Sequence, residues 1–292
     1  MPTLEVRWVA PVMPLVDDPM PDLIRGLRSP TPDVRTRAAR SLGRLGSLAR
    51  DAMPLLAHAL HDAEPTVREA AAQAIGLMGP DALPHLVSML HHPDKYVRRN
   101  GVWALGKLGD AALGALPALC ESLRDADPRV ASGAAQSLGG LGERAAEAIP
   151  GLTEAMRGTN IVLCRLASKA LSQIGRPALP TLLTHLRHRD PFVRAEAALA
   201  LGWIGPDAAA AVPGLIESLR APATSPDPDV PVTPGPPTAD EACRLYAAQS
   251  LGRIGPHAAS ALPALHRALR DPSEPLRQAA EQAIRMIEAA TE

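Results

Sequence analysis

Imidazoles at helical spacing are the first residues in this chain whose types could do chemistry. His58 and His61 stand three apart, as do His185 and His188, and His91 adjoins His92. Residues three apart share a helix face, so His58, His61 and His91 are a conceivable zinc-ligand set. The spacing is loose for a metal site, and the expected reading is solvated surface with no metal. The three cysteines, Cys120, Cys164 and Cys243, are scattered and form no Cys-x-x-Cys pair. There is no glycine-rich phosphate loop and no nucleophile elbow. No Ser, His and Asp set stands out, so the sequence offers no catalytic residue and no cofactor. What remains is a group of cations and aromatics: Arg37, Arg40, Arg44, Arg99, Asn100, Trp103, Lys107, Arg165, Lys169, Trp203, Tyr246 and Arg253. Aromatics beside Arg and Lys are a composition common in binding hot spots. Their chemistry is recognition of an acidic, partly apolar surface.

The elements that must position these residues are repeated. An apolar-proline dyad recurs at Pro21, Pro54, Pro84, Pro117, Pro150, Pro180, Pro213 and Pro263, in steps of 30 or 33 residues and one of 50. Eight units follow. In each, the proline opens a first helix, as in "LPALCESLRD" from Leu116, and a cation closes it (Arg28, His61, His91, Arg124, Arg157, Arg187, Arg220, Arg270). A short turn carries a capping residue: Thr31, Glu64, Asp94, Asp127, Asp190 or Ser273. The second helix then reads Val-Arg-x-x-Ala-Ala-x-Ala-Leu-Gly-x-Ile-Gly, with Leu138 in one of its core slots. Its inner glycine (Gly43, Gly76, Gly106, Gly139, Gly202, Gly252) costs about 1 kcal/mol against alanine, a cost that close helix packing would offset. The second glycine (Gly46, Gly79, Gly109, Gly142, Gly175, Gly205, Gly255) fits a left-handed residue past the helix end. The arginine after Val (Arg35, Arg68, Arg98, Arg194, Arg244, Arg277) is placed to pair with acidic turn residues of adjacent units. Ala131 and Cys164 interrupt that series and mark a softer joint.

Neither helix of a unit can bury its apolar stripe alone, whereas stacked copies join their stripes into one core. "DPFVRAEAALALGWIG" and its copies resemble the short HEAT repeats of the phycobilin-lyase-like (PBS lyase HEAT-like) class, from Met20 to about Ile287. The resemblance implies an all-α, right-handed ARM/HEAT-like solenoid of about eight helix hairpins, with the second helices lining a concave face. It implies a binding scaffold in most members and an enzyme in two branches. One branch attaches bilins to antenna proteins. The other, deoxyhypusine hydroxylase, holds two irons through His-Glu dipeptides, and no histidine here precedes a glutamate. The variable slots of the second helix are the third, fourth, seventh and eleventh residues from the Val, which lie along one side. They hold the twelve residues named above, and in all eight basic side chains against two acidic ones, Glu69 and Glu196.

Residues 1–19 lie outside the repeat, and "TLEVRWV" suggests an extended segment over the open end. The last unit has Arg285 and Glu288 where the glycines should be, as suits a terminal unit with nothing behind it. The stretched unit holds "APATSPDPDVPVTPGPPT", residues 221–238, a proline-rich insertion of polyproline-like character. Hydrophobic residues make up 46% of the 292 and aromatics only 2%, so Ala, Leu, Val and Ile must fill the core. A formal charge of −1 supplies no overall field for nucleic acid. No apolar run reaches the roughly 18 residues of a membrane span, no signal sequence is evident, and the odd cysteines suggest a reducing compartment, so cytoplasm is expected. The sequence thus predicts one repeat domain over 20–292 that acts as a non-enzymatic protein-binding scaffold or adaptor. Its partner would be acidic or mixed in surface, and the protein a monomer or part of a hetero-complex. The alternatives are a lyase-like or chaperone subunit acting on a tetrapyrrole protein and, more remotely, nucleic-acid binding or hydroxylase-like oxidation.

Overall fold

A computed structural model of the chain describes residues 19–220 and 238–289; the extended segment expected before Pro19 and the proline-rich insertion up to residue 237 lie outside them. The described residues are helical throughout, with no strand among them. They divide into two compact units between Met78 and Gly79. The first holds two hairpins, α1 (Met20–Leu27) with α2 (Pro32–Leu45) and α3 (Met53–Ala59) with α4 (Pro65–Leu77). The second holds six: α5 (Leu83–Leu90) with α6 (Lys95–Leu108), α7 (Leu116–Ser122) with α8 (Pro128–Gly140), α9 (Ile149–Met156) with α10 (Ile161–Ile174), α11 (Leu179–His185) with α12 (Pro191–Ile204), α13 (Val212–Arg220) with α14 (Ala239–Ile254), and α15 (Leu262–Ala268) with α16 (Glu274–Glu288).

Each hairpin forms for the reasons the repeat implies. Proline stands in the first turn of every first helix, where its missing N–H costs nothing. Asp94, Asp127 and Asp190 cap second helices through their carboxylates. Thr31, Glu64 and Ser273 do not cap as expected; instead their own amides are taken by Ser29, Asp62 and Asp271 two residues earlier. Asn160 is a cap the repeat pattern hid, accepting from the amides of Val162 and Leu163. Thr238, assigned above to the insertion, is the first residue of a capping box with Glu241.

Second helices of consecutive hairpins pack side by side within each unit. The inner glycines let them: a Cβ on Gly43 would lie 2.8 Å from Ala74 Cα, and one on Gly252 2.8 Å from Ala283 Cα. The cores between them are aliphatic, with Leu56 and Ile75 sealed in the first unit and Leu86, Leu105, Leu119 and Leu138 in the second.

The link from one hairpin to the next is more regular than the sequence suggested. It is a 3₁₀ helix, as at Gly109–Ala115 and Gly142–Ala148, seven residues in each. Its alanines three apart, such as Ala112 with Ala115 and Ala145 with Ala148, are buried, because three residues per turn puts them on one side. The two short repeats have three-residue versions instead, Pro80–Ala82 and Arg176–Ala178. The alternation between steps of 33 and 30 residues is therefore the presence or absence of one 3₁₀ turn.

All seven link glycines have positive φ, as expected, but Gly46, Gly79, Gly109, Gly175, Gly205 and Gly255 do not have the left-handed helical conformation, their ψ being strongly negative. Gly175 is representative, with φ 76° and ψ −130°. That region is closed to residues with a side chain, including the Asn that left-handed helical positions accept. A Cβ on Gly175 would meet nothing within 4 Å, so any cost there is backbone strain alone. Gly175→Ala should destabilise by about 1–3 kcal/mol in urea unfolding, and Gly175→Asn should recover none of it. Full recovery by Asn would show that the backbone rotates into the left-handed helical well.

A ladder of arginines ties the turns together. Arg35 in the first unit and Arg98 in the second each donate through Nη1 to two carbonyls of the turn before their own helix, at 2.9–3.1 Å. Each also binds a carboxylate of the next turn, Arg35 with Asp62 and Arg98 with Asp125, at 2.7 Å. Arg194 with Asp240 and Arg244 with Asp271 continue the pattern. Where Cys164 replaces the arginine, its Sγ donates to the carbonyl of Gly158, six residues back, as the arginines do. The expected pairing with acidic residues of adjacent units is thus met at these four rungs.

The most apolar long stretch, Pro191–Arg220, has the length and composition of a membrane span. It is not one helix: Gly205 at φ 75° breaks it, and Ala208 and Ala211 pack inside the protein.

Candidate functional site

Most of the cationic and aromatic side chains are exposed, on the free sides of the second helices. Exposure along these helices is graded. The eleventh slot is exposed in all eight: Arg44, Leu77, Lys107, Gly140, Gln173, Trp203, Arg253 and Met286. The third and fourth slots are mixed, and Thr36, Ala70, Ala195, Glu196 and Ala279 are buried there. The eleventh slot is thus the most open of the four, a difference that slot counting alone does not reveal.

In the first unit Arg37, Arg40 and Arg44 are all exposed. In the second, Trp103 and Trp203 are 45% and 41% exposed, large values for indoles. Lys107, Arg165, Lys169 and Arg253 are exposed as well, while Arg99, Asn100 and Tyr246 are half-buried. Lys107 Nζ lies 5.8 Å from the ring centroid of Trp103, and Arg99 stands 5.6 Å over Tyr96, both within cation–π reach. Arg40, Arg44, Lys169 and Arg253 meet no carboxylate among the described residues. Several cations of the turns and links are paired instead. Arg124 pairs with Glu154, Arg144 with Asp110 and Arg176 with Asp207.

Glu196 departs from the expectation of a solvated acidic slot. Its side chain is 1% exposed, and its Oε2 has no hydrogen-bond partner. Arg165 Nε comes only to 3.8 Å. Burial raises the carboxyl above the usual glutamate range, with the Ser168 hydroxyl and the Arg165 charge opposing. A carboxyl raised in the folded state costs stability when ionised, so the penalty grows as pH rises through its folded value and vanishes in acid. Glu196→Gln should therefore raise the melting temperature at neutral pH and leave it unchanged below pH 4. A lower melting temperature at pH 7 would mean that the Arg165 attraction outweighs burial. The free sides thus carry one exposed acid, Glu69, and eight cations.

The histidines assemble nothing comparable. His185 and His188 stack with centroids 5.9 Å apart, His185 Nδ1 against the Thr181 carbonyl and His188 Nδ1 accepting the Asp190 amide. No group of three or more His, Cys, Asp or Glu able to hold a metal occurs among the described residues. All three cysteines are free thiols, raised by burial above their ordinary range.

Comparison with known proteins bears on the repeat rather than on these side chains. No curated protein matches the chain. Among solved structures, an engineered protein is 20% identical over 92% of this chain and 78% of its own, with a TM-score of 0.49. The complex of CpcE and CpcF of phycocyanin lyase from Nostoc sp. PCC7120 is 21% identical over 99% of each chain, with a TM-score of 0.46. The PBS lyase HEAT-like repeat matches residues 244–271. HEAT repeats match residues 20–93, 83–167 and 149–227, so that with its glycine-broken helix hairpins the chain belongs to the HEAT-repeat proteins.

Proposed function

We propose that the protein is a non-enzymatic, cytoplasmic binding scaffold whose second helices hold an acidic, partly apolar protein partner. One observation carries the reading. Among the described residues Arg35, Arg98, Arg124 and Arg176 at turns and links are paired, whereas Arg40, Arg44, Lys169 and Arg253 meet no carboxylate, and Lys107 stands over the exposed indole of Trp103. A desolvated partner carboxylate would neutralise them, and Trp103 and Trp203 would supply rigid apolar area. Cytoplasm is favoured by three free thiols without disulfides.

The test is capture of partners from native lysate by the wild type and by Arg99→Ala/Trp103→Ala. The double variant should lose binding at least tenfold, with a melting temperature within about 2 °C, because both side chains leave the core intact. Undiminished capture would remove these residues from the binding surface. The tetrapyrrole alternative is separated by mixing the protein with bilin or haem, where a shifted absorption band would favour it over the scaffold reading.

A further inference from the structure

Two depressions on the free sides of second helices, one in each unit, are built from repeat-equivalent residues. In the first unit the depression has a volume of 210 Å³. Arg40 and Arg44 of α2 form one wall and Gln73 of α4 the other, with Leu77 at the rim. In the second unit it is 140 Å³, with Gln249 and Arg253 of α14 facing Gln282 of α16 and Met286 at the rim. The correspondence holds position by position. Arg44 and Arg253 are eleventh-slot residues, Gln73 and Gln282 seventh-slot residues of the next helix, and Leu77 and Met286 its eleventh. The floors are equivalent too: a Cβ on Gly43 would lie 3.5 Å from Leu77 Cδ1, and one on Gly252 3.4 Å from Met286 Sδ. The inner glycine, needed for helix packing, thereby also opens the floor beneath an arginine. The fourth slot completes each depression with an alanine, Ala70 or Ala279.

The chemistry is specific. A guanidinium with no carboxylate partner among the described residues faces a carboxamide across a small apolar floor, with an exposed Leu or Met beside it (51% and 41% exposed). Arg donates in a planar fork suited to a carboxylate, and Gln can donate to the same group; Gln73 gives one amide N–H to Glu69 at 3.4 Å and keeps a second. The volumes fall well short of the roughly 300–1,000 Å³ of small-molecule pockets, and suit one side chain. We infer that each depression is a subsite for a single acidic side chain of a protein partner, with an apolar neighbour of that side chain seated on Leu77 or Met286. This deepens the scaffold reading and rests on it. It also adds Gln73, Leu77, Gln282 and Met286 to the binding surface.

The probe is the pentapeptide acetyl-Ser-Leu-Glu-Gly-Ser-amide, titrated to millimolar concentration against the full chain with methyl-labelled Leu and Met. Its Glu→Gln form and free glutarate serve as comparisons. Saturable shifts at the Leu77 and Met286 methyls, at least tenfold weaker with the Gln peptide, are expected. Arg44→Gln should abolish the response at Leu77 alone, and Arg253→Gln the response at Met286 alone. Equal binding of the Gln peptide, or of glutarate, would overturn the proposal. Shifts confined to the surroundings of Trp103 would overturn it too, while leaving the scaffold reading to the Arg99/Trp103 capture test, which does not touch either depression.

Discussion

Leu138→Ala is expected to lower the unfolding free energy by about 2–5 kcal/mol. Leu138 lies on α8 and is fully buried. Its helix packs against α6 on one side and α10 on the other, and against α7 within its own hairpin. Contraction around a deleted side chain is limited on all these sides. Gly139, next in sequence, already holds α8 at close range, since a Cβ there would come within 3.0 Å of Ala170 Cα. Neighbouring helices cannot move much nearer, so most of the vacated volume persists and the cavity contribution adds to the lost transfer energy. Urea unfolding by circular dichroism measures the change. A cost under about 1 kcal/mol would mean that the joint between α8 and α10 collapses freely. That is the joint which the missing arginines at Ala131 and Cys164 mark as soft, so the experiment weighs that expectation as well.

The fold was legible because its signals are local and copied. A proline at the start of a first helix, a leucine such as Leu138 in the core register and a glycine such as Gly175 at the link each act within a few residues, and repetition separates them from chance. The 3₁₀ links were less legible because alanine marks neither a helix nor a turn by type. Only the burial of pairs such as Ala112 and Ala115 identifies them. The conformation at Gly175 was half legible: glycine signals positive φ, but ψ is set by the 3₁₀ turn that follows. The exposure of the candidate residues was legible only in part. Trp103 and Trp203 are exposed as their slots imply. Glu196, in a fourth slot counted to the same side, is buried, because exposure depends on the neighbouring helix as well as on the residue's own. The subsite residues Gln73 and Leu77 carried no composition signal; they matter through what faces them across the groove.

Arg98→Ala should destabilise by about 2–4 kcal/mol at neutral pH, more than the loss of an exposed ion pair could. Arg98 serves four acceptors at once: the His92 and Pro93 carbonyls at 2.9 Å, and the Asp125 carboxylate through Nε at 2.7 Å and Nη2 at 3.0 Å. Asp125 is 9% exposed, so removing the guanidinium leaves a buried charge. The pH dependence identifies the mechanism. Burial pushes the Asp125 carboxyl up, but the hydrogen bonds from Arg98 and the Asp127 amide, with the Arg98 charge, hold it below the usual aspartate range. A carboxyl depressed in the folded state contributes stability that is present above its unfolded value, near pH 4, and is lost as pH falls through the folded one. In Arg98→Ala the main opposing influence is gone and burial dominates, so the variant's deficit should shrink as Asp125 becomes protonated on acidification. Asp125→Asn in the same background should restore part of the loss at pH 7, because its Oδ1 can still accept the Asp127 amide without a buried charge. If the double variant is as unstable as Arg98→Ala at neutral pH, the two carbonyls hold the turn and the carboxylate is a bystander.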